Sequence, residues 1–473
     1  MRKHKQPQIL NKVLIEDCAA EGKSLTRVNG KVVFVERTVP GDVVDIQLTK
    51  SKKDWAEGFP IQFIEYSKER VEPFCKDFGI CGGCQWQMLP YNKQLFYKQK
   101  QVTDNLQRIA KINLPEILPI IGANETKYYR NKLEYTFATE KYISTEEFKL
   151  LKQQGIFSES NGAAGFHARG FFNKVVAIDT CHLQHEPTNL IRKAIENFAR
   201  KNNYPFYNIK QHEGWLRNTM VRIATTGEIM INIVVAFYDK AMIDALMNFI
   251  MQQFPNITTL LYTINTKLND SIYDLEPIAF HGKGYIIEKL ESFNFKISPK
   301  SFFQTNTKQG EKLYQITRDF AELKGIETLY DLYCGTGSIG IFLSKQTKKI
   351  IGVETVEDAV KDAKENALLN NINHAEFFAG DVINICNDDF FAKHGKADVV
   401  ITDPPRAGMH EKLIKKLLEI AAPTIVYVSC NPATQARDLA LLNEKYAVTK
   451  IQPVDMFPHT HHIENVAQLK LKD

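Results

Sequence analysis

Apolar and polar positions change period twice along this chain. Over residues 1–66 the apolar residues come in short alternating runs. Residues 31–35 (Lys-Val-Val-Phe-Val) read as a strand, Val39-Pro40-Gly41-Asp42 as a turn, and 43–48 and 59–64 as further strands. Short strands with Gly and Pro turns predict a small barrel, an architecture that often binds nucleic acid; a purely structural β-domain has the same pattern. Residues 91–112 then follow a helical period and predict one amphipathic helix, broken by Pro115 and Pro119. Between 125 and 290, strand patterns such as 229–237 mix with helical ones such as 240–253, predicting an α+β region. Residues 144–156, rich in Lys, Glu and Gln, read as an exposed insertion. From 291 the two periods alternate. Strands are expected at 327–333, 349–354, 376–379, 397–403 and 424–429, with helices such as 356–370 between them. That alternation implies a parallel, doubly wound α/β sheet. The organisation expected is multidomain: 1–66, 67–290 and 291–473.

Composition narrows the class. The chain has 473 residues, 44% apolar and 24% charged, ordinary for a globular protein. No apolar run has the length of a membrane span, and the basic N-terminus lacks a signal-peptide core, so the expected location is cytoplasmic with no membrane partner. A net charge of +5 does not by itself imply nucleic acid. Its clusters are more suggestive: Arg2, Lys3, Lys5 and Lys12, then Lys50, Lys52 and Lys53. A solvated tail accounts for the first equally well. Eight cysteines in a large cytoplasmic chain point to metal or catalysis rather than a disulfide framework.

A cofactor site is written into the third region. Gly335-Thr336-Gly337-Ser338-Ile339-Gly340 follows a strand and precedes a helix, and Glu354 ends the next strand, placed to accept from ribose hydroxyls. An NAD-type domain has the same fingerprint. Asp331, just before the glycines, favours S-adenosylmethionine, because its charge suits a cationic methionine end and would repel a pyrophosphate. Asp381, after the third strand, is placed to accept from an adenine amino group.

Catalytic residues cluster in the same region. Cys430 stands at the carboxyl end of the strand Val426 to Ser429, where α/β sheets hold their ligands. Asp403-Pro404-Pro405-Arg406 ends the preceding strand. An exocyclic nitrogen takes a methyl group unaided, whereas a pyrimidine C5 is a poor nucleophile. A thiolate adding at C6 makes C5 enolate-like, and a base must then remove the C5 proton. Cys430 is the candidate nucleophile. Glu464, in Met456 to Asn465, is the candidate base, with His459, His461 and His462 as rivals. Those histidines lack the spacing of a helical metal motif. Cys75, Cys81 and Cys84 supply three soft ligands, and Cys181 is the best fourth; spacing leaves zinc and an iron–sulfur cluster both open. Cys18 and Cys386 have no partner pattern, and Cys334 lies in the glycine turn.

These motifs resemble those of the RNA uracil-C5-methyltransferase family. Ser301 to Asn306, Asp331 to Gly337, Asp403 to Gly408, Val428 to Arg437 and Asp455 to Glu464 match family motifs in the family's order. The resemblance implies a class I, Rossmann-like methyltransferase domain with Cys430 as nucleophile and Glu464 as base. It implies cofactor contacts at Gln304, Tyr333, Glu354 and Asp403, with Gln304 and Asp403 also near the target base. Residues 1–66 resemble the TRAM domain, an OB-like RNA-binding barrel, through Glu21 to Arg27, although Ser24 replaces a common glycine. Asn465 is a second, minor departure. The cysteine pattern resembles the ribosomal branch, which implies a [4Fe–4S] cluster in a structural role and, as partner, a single-stranded loop of large-subunit ribosomal RNA. No obligate protein partner is expected. Transfer RNA is the alternative substrate, and a binding protein without activity the alternative class. Cytosine-C5 enzymes usually carry a cysteine beside the acid-proline turn, and none stands in Pro404-Pro405-Arg406.

Overall fold

The computed structural model describes residues 8–155 and 162–473. The basic residues Arg2, Lys3 and Lys5, and position 156 of the expected insertion, lie outside them. The first region is a single six-stranded sheet around Ile15, Val33, Val35, Val44, Ile46 and Ala56. Its last strand, Trp55–Glu65, begins before the expected 59, because Trp55 to Gly58 pair alongside Val32 to Val35.

The expected helix spans Tyr91–Asn105 and runs on through a wider turn, Leu106–Ala110. It stops short of 112 because Lys111 adopts a left-handed φ of 52°. Its buried stripe is mixed: Val102, Leu106 and Ala110 enter the core of the C-terminal region, but Gln94 and Lys98 are buried as well. The middle region is a seven-stranded mixed sheet, with the helices Thr188–Lys201 and Lys240–Gln253 contributing to its core. The Lys/Glu/Gln-rich stretch forms the helix Thr145–Gln153, capped by Ser144 and burying none of its residues. The hairpin Ile286–Leu290/Phe293–Ile297 straddles position 290 and buries Ile286, Phe293 and Phe295 in the C-terminal core.

The C-terminal sheet has seven strands: β1 (Thr328–Leu332), β2 (Lys349–Glu354), β3 (Ala375–Ala379), β4 (Val399–Thr402), β5 (Thr424–Ser429), β6 (Tyr446–Val454) and β7 (Glu464–Leu471). Their order is β3-β2-β1-β4-β5-β7-β6. β1 to β5 are parallel, and β7 is antiparallel to both β5 and β6. The parallel strands are near-continuous apolar runs because helices cover both faces of such a sheet. Among the described residues no helix is long and apolar enough to cross a membrane.

Candidate active site and cysteine cavity

Strand register builds the site. Thr402 of β4 lies beside Leu332 of β1 and Tyr427 of β5, so Tyr333, Asp403 and Cys430 all leave the sheet along one rim. β7 enters from the opposite direction. Ser429 pairs with Asn465 at the end of the ladder, so Cys430 and Glu464 each stand next to that last pair, and the charge of Glu464 acts on the Cys430 thiol. Residues far apart in sequence therefore meet at the carboxyl ends of the parallel strands, where ligands bind in this architecture.

Local hydrogen bonds fix the two loops that carry Asp403 and Cys430. Asn431 caps the helix Pro432–Leu442 by accepting from Ala433 N at 3.1 Å, and its Nδ2 donates to the Arg406 carbonyl at 3.0 Å. Buried Asp438 accepts from Met409 N at 2.8 Å and from the Tyr427 hydroxyl at 2.7 Å. Arg437 donates to the carbonyls of Ala407 (3.0 Å) and Met409 (3.2 Å). The acid-proline turn is thus bound to the helix that follows the cysteine. Asn465, the departure noted above, donates to Gln435 Oε1 at 2.7 Å, and Gln435 donates back to its carbonyl at 3.2 Å.

Electrostatics at the rim are dominated by burial. Burial pushes the Cys430 thiol up to about 11, helped by the charges of Glu464 and Asp403, while Arg406 pulls it down. Glu464, itself 7% exposed, is pushed well above the carboxylate range by burial and then by Asp403. Burial also raises Asp403 to about 7. Arg406 meets the His462 ring, Nη2 to Nδ1 at 2.6 Å, and burial holds both His461 and His462 low, at about 4 and about 3, so the ring nitrogens stay neutral at neutral pH.

The glycine turn expected to hold the cofactor adjoins this rim. Tyr333 and Gly335 take left-handed backbone, φ 61° and 53°, and turn the chain sharply after β1. A Cβ at Gly335 would meet open space, so the residue serves the turn rather than a close contact. Gly335 N donates to Glu354 Oε2 at 3.1 Å, while Glu354 Oε1 accepts from Val356 N at 3.0 Å. Asp331 is buried; its Oδ2 accepts from Gly340 N at 2.8 Å and its Oδ1 has no partner. Burial, then Asp403 and Glu354, raise it to about 7. An orphaned carboxylate oxygen under the glycine turn fits a cationic ligand there. Asp381, exposed, caps Val382–Ile385 through Ile383 N at 2.9 Å. Gln304 is buried where its segment enters the helix Thr307–Ala321, its carbonyl accepting from Asn131 Nδ2 at 2.9 Å.

Cys75, Cys81, Cys84 and Cys181 line one cavity of about 530 Å³, together with Arg130, His182 and others. Burial pushes Cys81 and Cys181 up to about 12 and Cys84 to about 11, and each of these three is raised further by neighbouring cysteines of the set. Among the described residues no three His, Cys, Asp or Glu side chains form a group close enough to hold a metal ion. The thiols instead stand around a space.

Sequence reasoning missed the residues that hold the segment before Glu464: Tyr91, Gln94 and Lys98 from the long helix, and Asp455. Polar Gln94 and Lys98 on the apolar stripe of that helix were the available signal. Tyr314 was missed too; its hydroxyl meets Ser338 Oγ at 2.9 Å and feels Asp403, Asp331 and Glu464.

Comparison with known proteins agrees with this architecture. Residues 280–472 match the tRNA (Uracil-5-)-methyltransferase family, and residues 11–60 match the TRAM domain. An uncharacterized RNA methyltransferase of Bacteroides thetaiotaomicron is 49% identical over 457 residues, covering 96% of this chain and 100% of that protein. One from Porphyromonas gingivalis is 47% identical, covering 96% and 98%. The crystal structure of Pyrococcus abyssi tRNA (uracil-54, C5)-methyltransferase, in complex with S-adenosyl-L-homocysteine, superposes with a TM-score of 0.74 at 28% identity, covering 97% of this chain and 100% of that one. The chain belongs to the S-adenosylmethionine-dependent RNA uracil-5-methyltransferase family and carries a TRAM domain near its N-terminal end.

Proposed function

We propose that this enzyme methylates C5 of a uridine in large-subunit ribosomal RNA through a covalent bond between Cys430 and C6. The observation that supports the reading is the end of the β5–β7 ladder, where Cys430 and Glu464 flank the pair Ser429–Asn465 and the thiol feels the charges of Glu464 and Asp403. Cys430 adds to C6 as the thiolate, with Arg406 as the cation that favours its ionisation. The displaced electron pair makes C5 nucleophilic. S-adenosylmethionine, when bound, supplies the methyl group that C5 takes. Glu464 then removes the C5 proton; the C–H pair re-forms the C5–C6 double bond and the thiolate leaves. A carboxylate raised by burial is a stronger base than one in water, which suits this step. Gln304, Tyr333, Glu354, Asp403, Asp331, Gly335 and Asp381 line the cofactor's place, and Gln304 and Asp403 also flank the target uracil. The target uridine must leave its stack to reach the rim, at a cost of a few kcal/mol.

Lys50, Lys52 and Lys53 are exposed at one end of the N-terminal sheet, with Lys50 Nζ 4.6 Å from the centre of the Trp55 ring. A cationic patch beside an aromatic face suits single-stranded RNA. The four thiols around one cavity fit a [4Fe–4S] cluster better than zinc, because a lone zinc ion needs its sulfurs drawn to about 2.3 Å. Such a cluster, ligated by Cys75, Cys81, Cys84 and Cys181, would brace the middle region, 67–290, between the RNA-binding region, 1–66, and the catalytic region, 291–473. The enzyme's place is then the cytoplasm.

Transfer RNA is the second reading, favoured by the substrate named for the Pyrococcus structure. Incubation with radiolabelled S-adenosylmethionine and total RNA lacking 5-methyluridine separates the two. Label in large-subunit RNA, mapped to one loop, supports the proposal. Label confined to transfer RNA overturns the ribosomal target and keeps the chemistry.

A further inference from the structure

Residues 455–463 join β6 to β7 and deliver the chain into Glu464, and Val454 pairs with Glu464 in the ladder. Asp455 is therefore the first residue beyond the pair that contains the base. Its side chain and that of Lys98 are both 0% exposed, with Nζ and Oδ1 at 2.6 Å. Lys98 Nζ also donates to the Phe457 carbonyl at 3.1 Å, and Asp455 Oδ1 accepts from Phe457 N at 3.0 Å. The Tyr91 hydroxyl donates to Asp455 Oδ2 at 2.8 Å. One turn along the same helix, Gln94 Oε1 accepts from His459 N at 2.8 Å, and its Nε2 meets His459 Nδ1 at 3.1 Å. The backbone N–H groups of Gln85 and Trp86, directly after Cys84, donate to the His459 carbonyl at 2.9 and 3.0 Å. The stretch 85–98 thus holds the Asp455 side chain, the Phe457 carbonyl and His459, while Gln309 Nε2 donates to the Asp455 carbonyl at 2.7 Å, Asn306 Nδ2 to the Met456 carbonyl at 2.9 Å and the Tyr129 hydroxyl to the Pro458 carbonyl at 3.0 Å.

Two charges without exposed surface are an inefficient way to fill a core, since an apolar pair of similar volume avoids the cost of desolvation. What such a pair supplies is direction: it fixes both partners in angle and distance. We propose that Lys98 and Asp455 are positioning residues, through which the helix Tyr91–Asn105 sets the place of Glu464. The inference rests on Glu464 being the base that removes the C5 proton. The base is then assembled from two parts of the chain 357 residues apart, and the cysteine loop shares in holding it.

The test follows turnover on uridine-containing RNA with S-adenosylmethionine. It reads kcat, KM for RNA, and the share of enzyme found as covalent RNA adduct on a denaturing gel. A displaced base slows release of the adduct more than its formation. Lys98→Met is expected to lower kcat by roughly 10- to 100-fold, the scale of a small misplacement of a catalytic group, with KM nearly unchanged and the adduct share raised. Tyr91→Phe, which removes the hydrogen bond to Asp455 Oδ2 and the one the hydroxyl accepts from Ala123 N but keeps the ring, should move the same quantities in the same direction by less. A Lys98→Met enzyme with wild-type kcat, or one whose adduct share falls with kcat, overturns the positioning role. If Lys98→Met does not fold, Tyr91→Phe decides: no rise in adduct share overturns the proposal. Glu464→Gln runs alongside. If it turns over without accumulating adduct, Glu464 is not the base, an outcome distinct from the failure of Lys98 alone.

Discussion

Cofactor affinity should depend on pH, and the structure gives its size and sign. Asp331 and Asp403 are both pushed up to about 7, chiefly by burial, so these carboxyls hold protons near neutral pH in the free enzyme. In the proposed placement a sulfonium bound beside them would favour the ionised forms and lower both values. Binding must then release protons. A group of pKa 7 is about ten-elevenths protonated at pH 6 and about one-eleventh at pH 8. If binding selects its ionised form, affinity rises about tenfold across that interval for each linked group. The two carboxyls feel each other, so one group's worth is the expected minimum. Isothermal titration at pH 6, 7 and 8, in buffers of different ionisation enthalpy, measures the affinity and the protons together. At pH 7 the release should be about half a proton per linked group. S-adenosylhomocysteine, whose sulfur is neutral, should show a much flatter profile. An affinity for S-adenosylmethionine that stays constant from pH 6 to 8, or an equal slope for both ligands, would show that the sulfonium is not linked to these carboxyls.

Asp331→Asn should separate stability from binding. A carboxyl raised from 3.8 to about 7 stabilises the fold fully below pH 3.8 and loses that contribution as pH rises through 7, about 4 kcal/mol in all. The asparagine variant escapes the loss, so the free protein should melt higher than wild type at pH 8 while binding S-adenosylmethionine more weakly; a lower Tm would count against this. Asn465→Ala leaves Gln435 Oε1 buried without its donor and should cost about 1–3 kcal/mol in denaturant unfolding, with a neutral result showing that the pair is dispensable. Anaerobically prepared wild type should contain iron and absorb visible light, and Cys81→Ser should lose both; zinc in place of iron would overturn the cluster.

Much of the catalytic region was legible because its parallel strands are apolar runs ended by informative residues. Glu354, Asp403 and Cys430 each stand at or just beyond a strand's carboxyl end, and punctuation by Gly, Pro and Asn marks those ends. The two final strands were not read. Pro453, a residue that reads as a strand breaker, stands inside β6 and pairs with Asn465, and the histidine-rich connection hides the start of β7, so local pattern gave no sign that Glu464 opens a strand. The register that brings it to Cys430 is a tertiary fact. So is the Lys98–Asp455 pair, whose partners are linked by no local spacing. The hairpin across position 290 was invisible as a link because its strands are short and its apolar residues pack against elements far along the chain.

In the proposed mechanism everything turns on a bond between Cys430 and C6 of a uridine. Fluorine at C5 cannot leave as a proton, so RNA carrying 5-fluorouridine should trap the methylated adduct. After incubation with S-adenosylmethionine and this RNA, a denaturing gel should show a protein band shifted by bound RNA, and peptide mapping should place the link on Cys430. The shift should vanish in Cys430→Ala. A link mapped to another residue, or a shift that persists without Cys430, would remove Cys430 as the nucleophile.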